Sequence, residues 1–240
     1  MKALILVGGK GTRLRPYTAT IPKPLLPVGD MPILEIILKQ LKNSGVNEVI
    51  LAVGHMSQLF ESFFQNGQQL GINIDYSFED KPMGTAGAIA LSIDHFDDDF
   101  IVMNGDLLTT LDYKKMFEFH QSKNSSGTVA ISRREMKIDF GIVESDSSGM
   151  LSGYIEKPSY FYDFGMGVNI INKKAVKPLL VENEYIDMPD LMLRLREKGE
   201  KVYIYREDCF WLDMGRHEDY EKANEVFIER REDFLPSDSE

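Results

Sequence analysis

The chain has 240 residues, 43% hydrophobic and 27% charged, with a formal net charge of −11. That length can bury a sizeable core in one α/β domain, and the acidity excludes a nucleic-acid surface, which needs a basic stripe. One cysteine, Cys209, excludes an internal disulfide and a cysteine-rich metal site; no apolar run approaches the ~20 residues of a membrane span, and "ALILV" is too short for a signal peptide, so the chain is expected to be cytoplasmic.

"ALILV" is a short continuous apolar run closed by glycine, the pattern of a buried parallel strand. "ILEIILKQLKNSG" is apolar at helical spacing and stops at Gly45. "NEVILAVG" reads as a strand, "MSQLFESFFQNG" as a helix with core-facing Met and Phe, and "GINIDYSFED" as a strand. "GTAGAIALSI" is helical and "DFIVMNGD" is a strand ending in an acid, with Asp97-Asp98-Asp99 before it as a solvated loop. This alternation predicts a doubly wound sheet, whose ligands bind beyond the carboxyl ends of strands. Gly8–Arg13, Glu79–Gly87 and Asn104–Asp106 all fall at such ends.

From about residue 127 the pattern turns to strands: "TVAISRR", a hairpin turning at Ser147-Ser148-Gly149, and "MGVNIIN". Helices return in "MPDLMLRLREKG" and "HEDYEKANEVFIERRE". With no Gly/Ser linker between the halves, residues 1–232 read as one domain of two parts, about 1–125 and about 126–232, followed by a frayed polar tail, 233–240. His55, His95, His120 and His217 match no zinc spacing and read as surface or capping residues.

Three readings compete for "GGKGTR". The dinucleotide pattern G-x-G-x-x-G fails because its last glycine falls at Leu14, and a Walker A loop fails because Lys10 is followed by Gly11. A merely tight turn explains the glycines but not Thr12-Arg13 and a second basic residue at Lys23. Glycines let backbone N–H groups approach phosphate oxygens and an arginine adds a charge-assisted fork, so the loop is read as an anion site.

"LVGGKGTRLRPYT…IPKPLLPVGDMPIL" resembles the signature of the sugar-1-phosphate nucleotidyltransferases, and the likeness continues through "PMGTAGAI", "VMNGD", "FGIVE", "IEKP" and "WLDMGRHEDY". Among them it is similar to short mannose-1-phosphate guanylyltransferase-like enzymes. The resemblance implies a Rossmann-like doubly wound mixed sheet of the GT-A-like nucleotidyltransferase type. The first part would bind the nucleotide, and a small β-rich lobe in the second part would bind the sugar phosphate.

It also implies roles. Asp106 and Asp213 would hold Mg2+, although a core-edge cap would equally explain Asp213, and Asp112 is better placed than Asp106 to cap the helix in "LDYKKMFEFH". Leu6, Gly8, Gly9, Gly11, Thr12, Arg13, Lys23, Glu79, Gly84, Thr85 and Asn104 would bind the nucleotide, with Arg13, Lys23 and Asp106 catalytic. Gly141, Glu156, Lys157 and Gly167 would bind the sugar phosphate; without the resemblance Lys157 reads as a solvated lysine. Many relatives carry a polar residue where Gly165 stands here, which leaves the sugar open.

The expected reaction is transfer of a nucleoside monophosphate from an NTP to a sugar 1-phosphate with release of pyrophosphate, guanylyl transfer to mannose 1-phosphate first. Uridylyl, thymidylyl or cytidylyl transfer to glucose 1-phosphate and guanylyl transfer to a heptose 1-phosphate stay open, as does a catalytically silent sugar-nucleotide sensor. The expected partners are those two substrates, with no nucleic acid and no membrane, and a homodimer is allowed.

Overall fold

The computed structural model of the protein describes residues 1–236. The first half runs β1 (Lys2–Leu6), β2 (Pro27–Val28), β3 (Met31–Pro32), α1 (Ile33–Asn43), β4 (Glu48–Val53), α2 (Ser57–Phe64), β5 (Asn73–Phe78), α3 (Gly84–Ser92), β6 (Asp99–Asn104), β7 (Leu107–Thr109) and α4 (Tyr113–Ser122). The second runs β8 (Gly127–Lys137), β9 (Ile142–Ser145), β10 (Leu151–Ile155), β11 (Ser159–Asn172), α5 (Lys173–Val176), α6 (Met188–Glu197), β12 (Val202–Arg206), β13 (Trp211–Asp213), α7 (His217–Glu229) and α8 (Arg231–Phe234).

Seven strands form one mixed sheet in the order β12-β8-β11-β6-β1-β4-β5. β11 is antiparallel to both neighbours and every other pair is parallel. From β1 the chain steps outward to β4 and β5, then returns to the other side of β1 for β6. Such a reversal opens a crevice beyond the carboxyl ends of the two strands it separates. Leu6 and Asn104, the last residues of β1 and β6, lie in register, and the Gly105 N–H donates to the Leu6 carbonyl at 3.0 Å.

The apolar run of β1 is buried on both faces because successive side chains point to opposite sides. Ala3, Ile5 and Val7 pack with Ile33, Ile37 and Leu41 of α1, Phe60 of α2, and Phe227 of α7. Leu4 packs on the other face with Ile89 of α3 and Leu191 and Leu195 of α6. Truncating any of the Ile, Leu or Phe side chains among these to alanine is expected to cost roughly 2–5 kcal/mol.

Four expectations are corrected or extended by the packing. The strand expected at "MGVNIIN" begins at Ser159, and its first half pairs with the distal half of β8 as an arm beyond the core, where period-2 burial is absent. The expected polar tail starts too early: Phe234 is buried against Phe210 and Phe227, while residues 237–240 lie outside the described residues. His120 is neither a surface nor a capping residue; it is buried, with Nδ1 2.8 Å from Thr128 Oγ1 and Nε2 3.3 Å from Asp99. Asp99 accordingly starts β6 instead of ending a solvated loop, and it also accepts from Asn172 at 2.8 Å. As expected, Asp112 caps α4 by accepting from the Lys115 N–H at 3.0 Å.

Candidate active site

The loop after β1 turns back on itself at Gly11. Its φ of +57° suits glycine, and a side chain there would press on Thr18 and the Lys23 stem. Thr18 Oγ1 donates to the Gly11 carbonyl at 2.8 Å, tying the glycine loop to the segment that carries Lys23. Lys23 opens a short 3-10 turn between Pro22 and Pro24, all three buried. Two prolines restrict the backbone there and aim the lysine inward. Arg13 is exposed and, among the described residues, forms no ion pair; its guanidinium lies against Gly215, as does the Asp213 carboxylate. Thr12 begins the adjacent turn and is exposed.

Asp106 and Asp213 are 107 positions apart by numbering, and a two-stranded ribbon joins them. β7 and β13 pair antiparallel with Asp213 opposite Leu107, and the Met214 N–H donates to the Asp106 carbonyl at 3.3 Å. Lys23 Nζ donates to Asp106 Oδ2 and, at 3.3 Å, to Asp213 Oδ1. Burial pushes the Asp106 carboxyl above its ordinary pKa and the Asp213 charge adds to that; the Lys23 ammonium opposes it. Asp106 Oδ1 is buried and has no hydrogen-bond partner. An orphaned carboxylate oxygen beside a second carboxylate is a donor set for a hard cation. Among the described residues no three His, Cys, Asp or Glu side chains gather as a metal cluster. Two carboxylates are the protein share that a hard cation takes when it completes its shell with phosphate oxygens and water.

A cleft of about 330 Å³ opens beside this pair. It is lined by Leu6, Gly8, Gly9, Glu79, Gly84, Thr85, Asn104 and Asp106, all expected at the site, and by Pro82, Met83, Tyr185 and Asp187. Tyr185 and Asp187 escaped the sequence reading because an acid before "MPDL" reads as an ordinary cap for α6. The carboxylate does not cap its own helix. Asp187 Oδ1 accepts instead from the Thr85 N–H at 3.0 Å and Thr85 Oγ1 at 3.3 Å, and Oδ2 accepts from the Tyr185 hydroxyl at 3.1 Å. The Ile186 carbonyl accepts from the Ala86 and Gly87 N–H groups at 3.0 and 3.1 Å. This close approach requires Gly84, whose φ is +78° and where a Cβ would lie 2.8 Å from the Ile186 carbonyl carbon.

The expected sugar-side residues divide. Gly167 lies behind a cleft residue without lining the cleft itself: the β8–β11 register breaks between Gly165 and Asn169, and the bulge turns Gly167, at φ +74°, onto the Asn104 amide. Gly141 lies against Tyr154 and the Glu156 carboxylate on the β9–β10 hairpin. Lys157, at φ +44°, is exposed after β10. Among the described residues no hydrogen bond or ion pair joins Glu156 or Lys157 to the Lys23 cluster. Gly165 has open space around it. The arm is anchored by Trp211, whose indole N–H donates to the Met166 carbonyl at 3.0 Å and whose ring carries Arg134 at 4.2 Å.

No described helix is long and apolar enough to cross a membrane. The chain is 32% identical over 93% of its length to a UTP–glucose-1-phosphate uridylyltransferase of Synechocystis sp. and 36% identical over 92% to a mannose-1-phosphate guanylyltransferase catalytic subunit beta of Danio rerio. It spans 62% of the length of each of these curated relatives. Its fold superposes on HddC from Yersinia pseudotuberculosis, crystallised with GMP-PN, with a TM-score of 0.73 at 25% identity, covering 94% of this chain and 99% of that one. The nucleotidyl transferase family model matches residues 2–230, so the chain belongs to the nucleotidyl transferase family.

Proposed function

We propose that this cleft transfers a nucleoside monophosphate from an NTP to a sugar 1-phosphate, releasing pyrophosphate. The observation that carries the proposal is the Lys23 ammonium shared between Asp106 and Asp213 at the switch-point crevice, one strand end from a glycine loop. A phosphate nucleophile is already ionised at neutral pH, so catalysis rests on alignment and charge neutralisation. The N–H groups of Gly8, Gly9 and Gly11 hold phosphate oxygens, Arg13 meets charge gathering on the α-phosphate and pyrophosphate, and Lys23 steadies the nucleotide. Asp106 and Asp213 would hold Mg2+, which would supply charge neutralisation to the phosphates. From the turn between β10 and β11, Lys157 would receive the phosphate of the sugar phosphate and Glu156 the sugar hydroxyls, with Gly141 and Gly167 leaving room for the sugar.

Guanylyl transfer to mannose 1-phosphate is the leading pair, supported by the Danio rerio relative and the GMP-PN bound by HddC. The Synechocystis relative favours a second reading, uridylyl transfer to glucose 1-phosphate. The proposal carries a cytoplasmic location with it. A pyrophosphate-release screen of four NTPs against a panel of sugar 1-phosphates tests it. A silent sensor would bind nucleotide and release no pyrophosphate with any pair, and that outcome would refute transfer.

A further inference from the structure

We infer that Asp99 and His120 form a binding site for a transition-metal cation of the Zn2+ class, at the end of the sheet opposite the crevice. Asp99 opens β6, and Asn104 closes the same strand at the crevice. The strand steps between them span roughly 17 Å. The site therefore stands apart from the Asp106–Asp213 pair and does not depend on the nucleotidyl-transfer reading. α4 places His120 beside the start of β6, and both side chains line a cavity of about 430 Å³ together with Asp98 and Asn172.

The hydrogen bonds behind His120 assign its proton. Ser125 Oγ lies 2.6 Å from the Gly127 carbonyl, which only accepts, so the Ser125 hydroxyl donates there. Ser125 Oγ then accepts from Thr128 Oγ1 at 3.2 Å, and Thr128 Oγ1 accepts from His120 Nδ1–H at 2.8 Å. With its proton on Nδ1, the neutral imidazole turns the Nε2 lone pair toward Asp99 Oδ1, 3.3 Å away. Both atoms are acceptors, and two facing lone pairs call for a cation. The His120 side chain is 1% exposed, and among the described residues Nε2 has no hydrogen-bond partner. A second proton on Nε2 would be poorly aligned with the carboxylate for the same reason.

The separation selects the ion. A tetrahedral Zn2+ about 2.0 Å from nitrogen and about 2.1 Å from oxygen holds its two ligand atoms roughly 3.3–3.4 Å apart. A bridging ammonium group, about 2.9 Å from each acceptor, would need them roughly 4.7 Å apart. Mg2+ and Ca2+ prefer oxygen ligands, whereas imidazole nitrogen suits Zn2+ and its neighbours. Both ligands are already held from behind, as metal ligands need to be. Thr128 fixes the imidazole, and Asn172 Nδ2 donates to Asp99 Oδ1 at 2.8 Å and to Asp98 Oδ1 at 3.1 Å. Asp98 adds negative charge at the rim, offset in part by Lys174 at 3.7 Å. Among the described residues no group of three His, Cys, Asp or Glu completes the shell, so water fills the remaining positions and the ion stays exchangeable. Once bound, it ties β6 to α4 and, through Thr128, to β8.

The test is thermal denaturation of the full chain with Zn2+ in wild type, His120→Gln, Asp99→Asn and Asp106→Asn, with anomalous diffraction from wild-type crystals grown with Zn2+. Zn2+ at about 100 times its Kd is expected to raise the wild-type Tm by roughly 5 °C. The rise is expected to vanish in His120→Gln and Asp99→Asn and to persist in Asp106→Asn, whose substitution lies at the other end of β6. The anomalous peak is expected between His120 Nε2 and Asp99. No rise in wild type overturns the inference, and so does a rise that survives in His120→Gln or Asp99→Asn. An anomalous peak found only at other residues overturns it as well. A peak at His120 without any Tm response in solution would be binding at crystal concentration only, and it too counts against the site. Should neither His120→Gln nor Asp99→Asn fold, the position of the wild-type peak and the wild-type Tm response decide.

Discussion

Lys23 Nζ lies 3.3 Å from Asp213 Oδ1, across 190 positions of chain, and the same ammonium is bonded to Asp106. Lys23 is only 7% exposed, so it is the internal counter-ion of two carboxylates whose mutual repulsion it cancels. Lys23→Met should cost about 3 kcal/mol, the low end for breaking a buried pair, since the Asp213 side chain is 45% exposed. Mg2+ should raise the variant's Tm more than it raises that of wild type, by filling the same charge vacancy. An unchanged Tm in metal-free Lys23→Met would mean that the lysine is not a structural counter-ion.

Asp106→Asn and Asp213→Asn should each remove most magnesium-dependent pyrophosphate release, because an amide cannot neutralise a hard cation as a carboxylate does. Circular dichroism should show both variants folded, as Lys23 keeps one carboxylate partner in either case. Near-normal turnover in one variant would take that residue out of the metal set.

Arg13 stands exposed with no ion pair among the described residues, so Arg13→Ala should leave Tm unchanged. Its loss should act on kcat more than on KM for NTP, by on the order of 10²-fold, comparable to deleting a donor that meets charge in the transition state. A change in KM alone would recast it as a uniform binding residue.

Lys157 lies in the turn between β10 and β11 and, among the described residues, has no hydrogen bond or ion pair to the Lys23 cluster. Lys157→Ala should raise KM for sugar 1-phosphate roughly 10- to 150-fold, the equivalent of a charge-assisted contact. Calorimetry should show NTP affinity unchanged. Collapse of NTP binding with an unaltered sugar-phosphate KM would reverse the assignment of the two ends of the cleft.

Burial raises the Asp99 pKa, but the His120 ring nitrogen at 3.3 Å and the Asn172 hydrogen bond outweigh it and hold the carboxyl below its usual range. A depressed pKa contributes stability that is fully present above the unfolded value of about 3.9 and is lost as pH falls through the folded one. Asp99→Asn should therefore lower stability at pH 7 and flatten the acid limb of a denaturant-midpoint titration below about pH 4. An acid limb as steep as in wild type would show that Asp99 does not drive it.

The parallel half was legible because β1, β4 and β6 are buried on both faces and must be apolar without interruption, while glycines close their ends. For the same local reason Gly8, Gly9, Gly84 and Thr85 could be placed at strand ends before any packing was known. The arm was not legible: in Ser159–Phe164 most side chains face solvent, so burial imposes no alternation on them. Nothing local in "FWLDMG" says that Asp213 meets Asp106; the β7–β13 register decides that, and only the resemblance anticipated it. Asp187 crossing to Thr85, His120 buried on Asp99, and Phe234 folded into the core are likewise long-range pairings. Short-range pattern reports which face of an element is buried; which partner satisfies a charge or a donor is chosen when distant segments pack, because an unpaired polar group in that interior would be expensive.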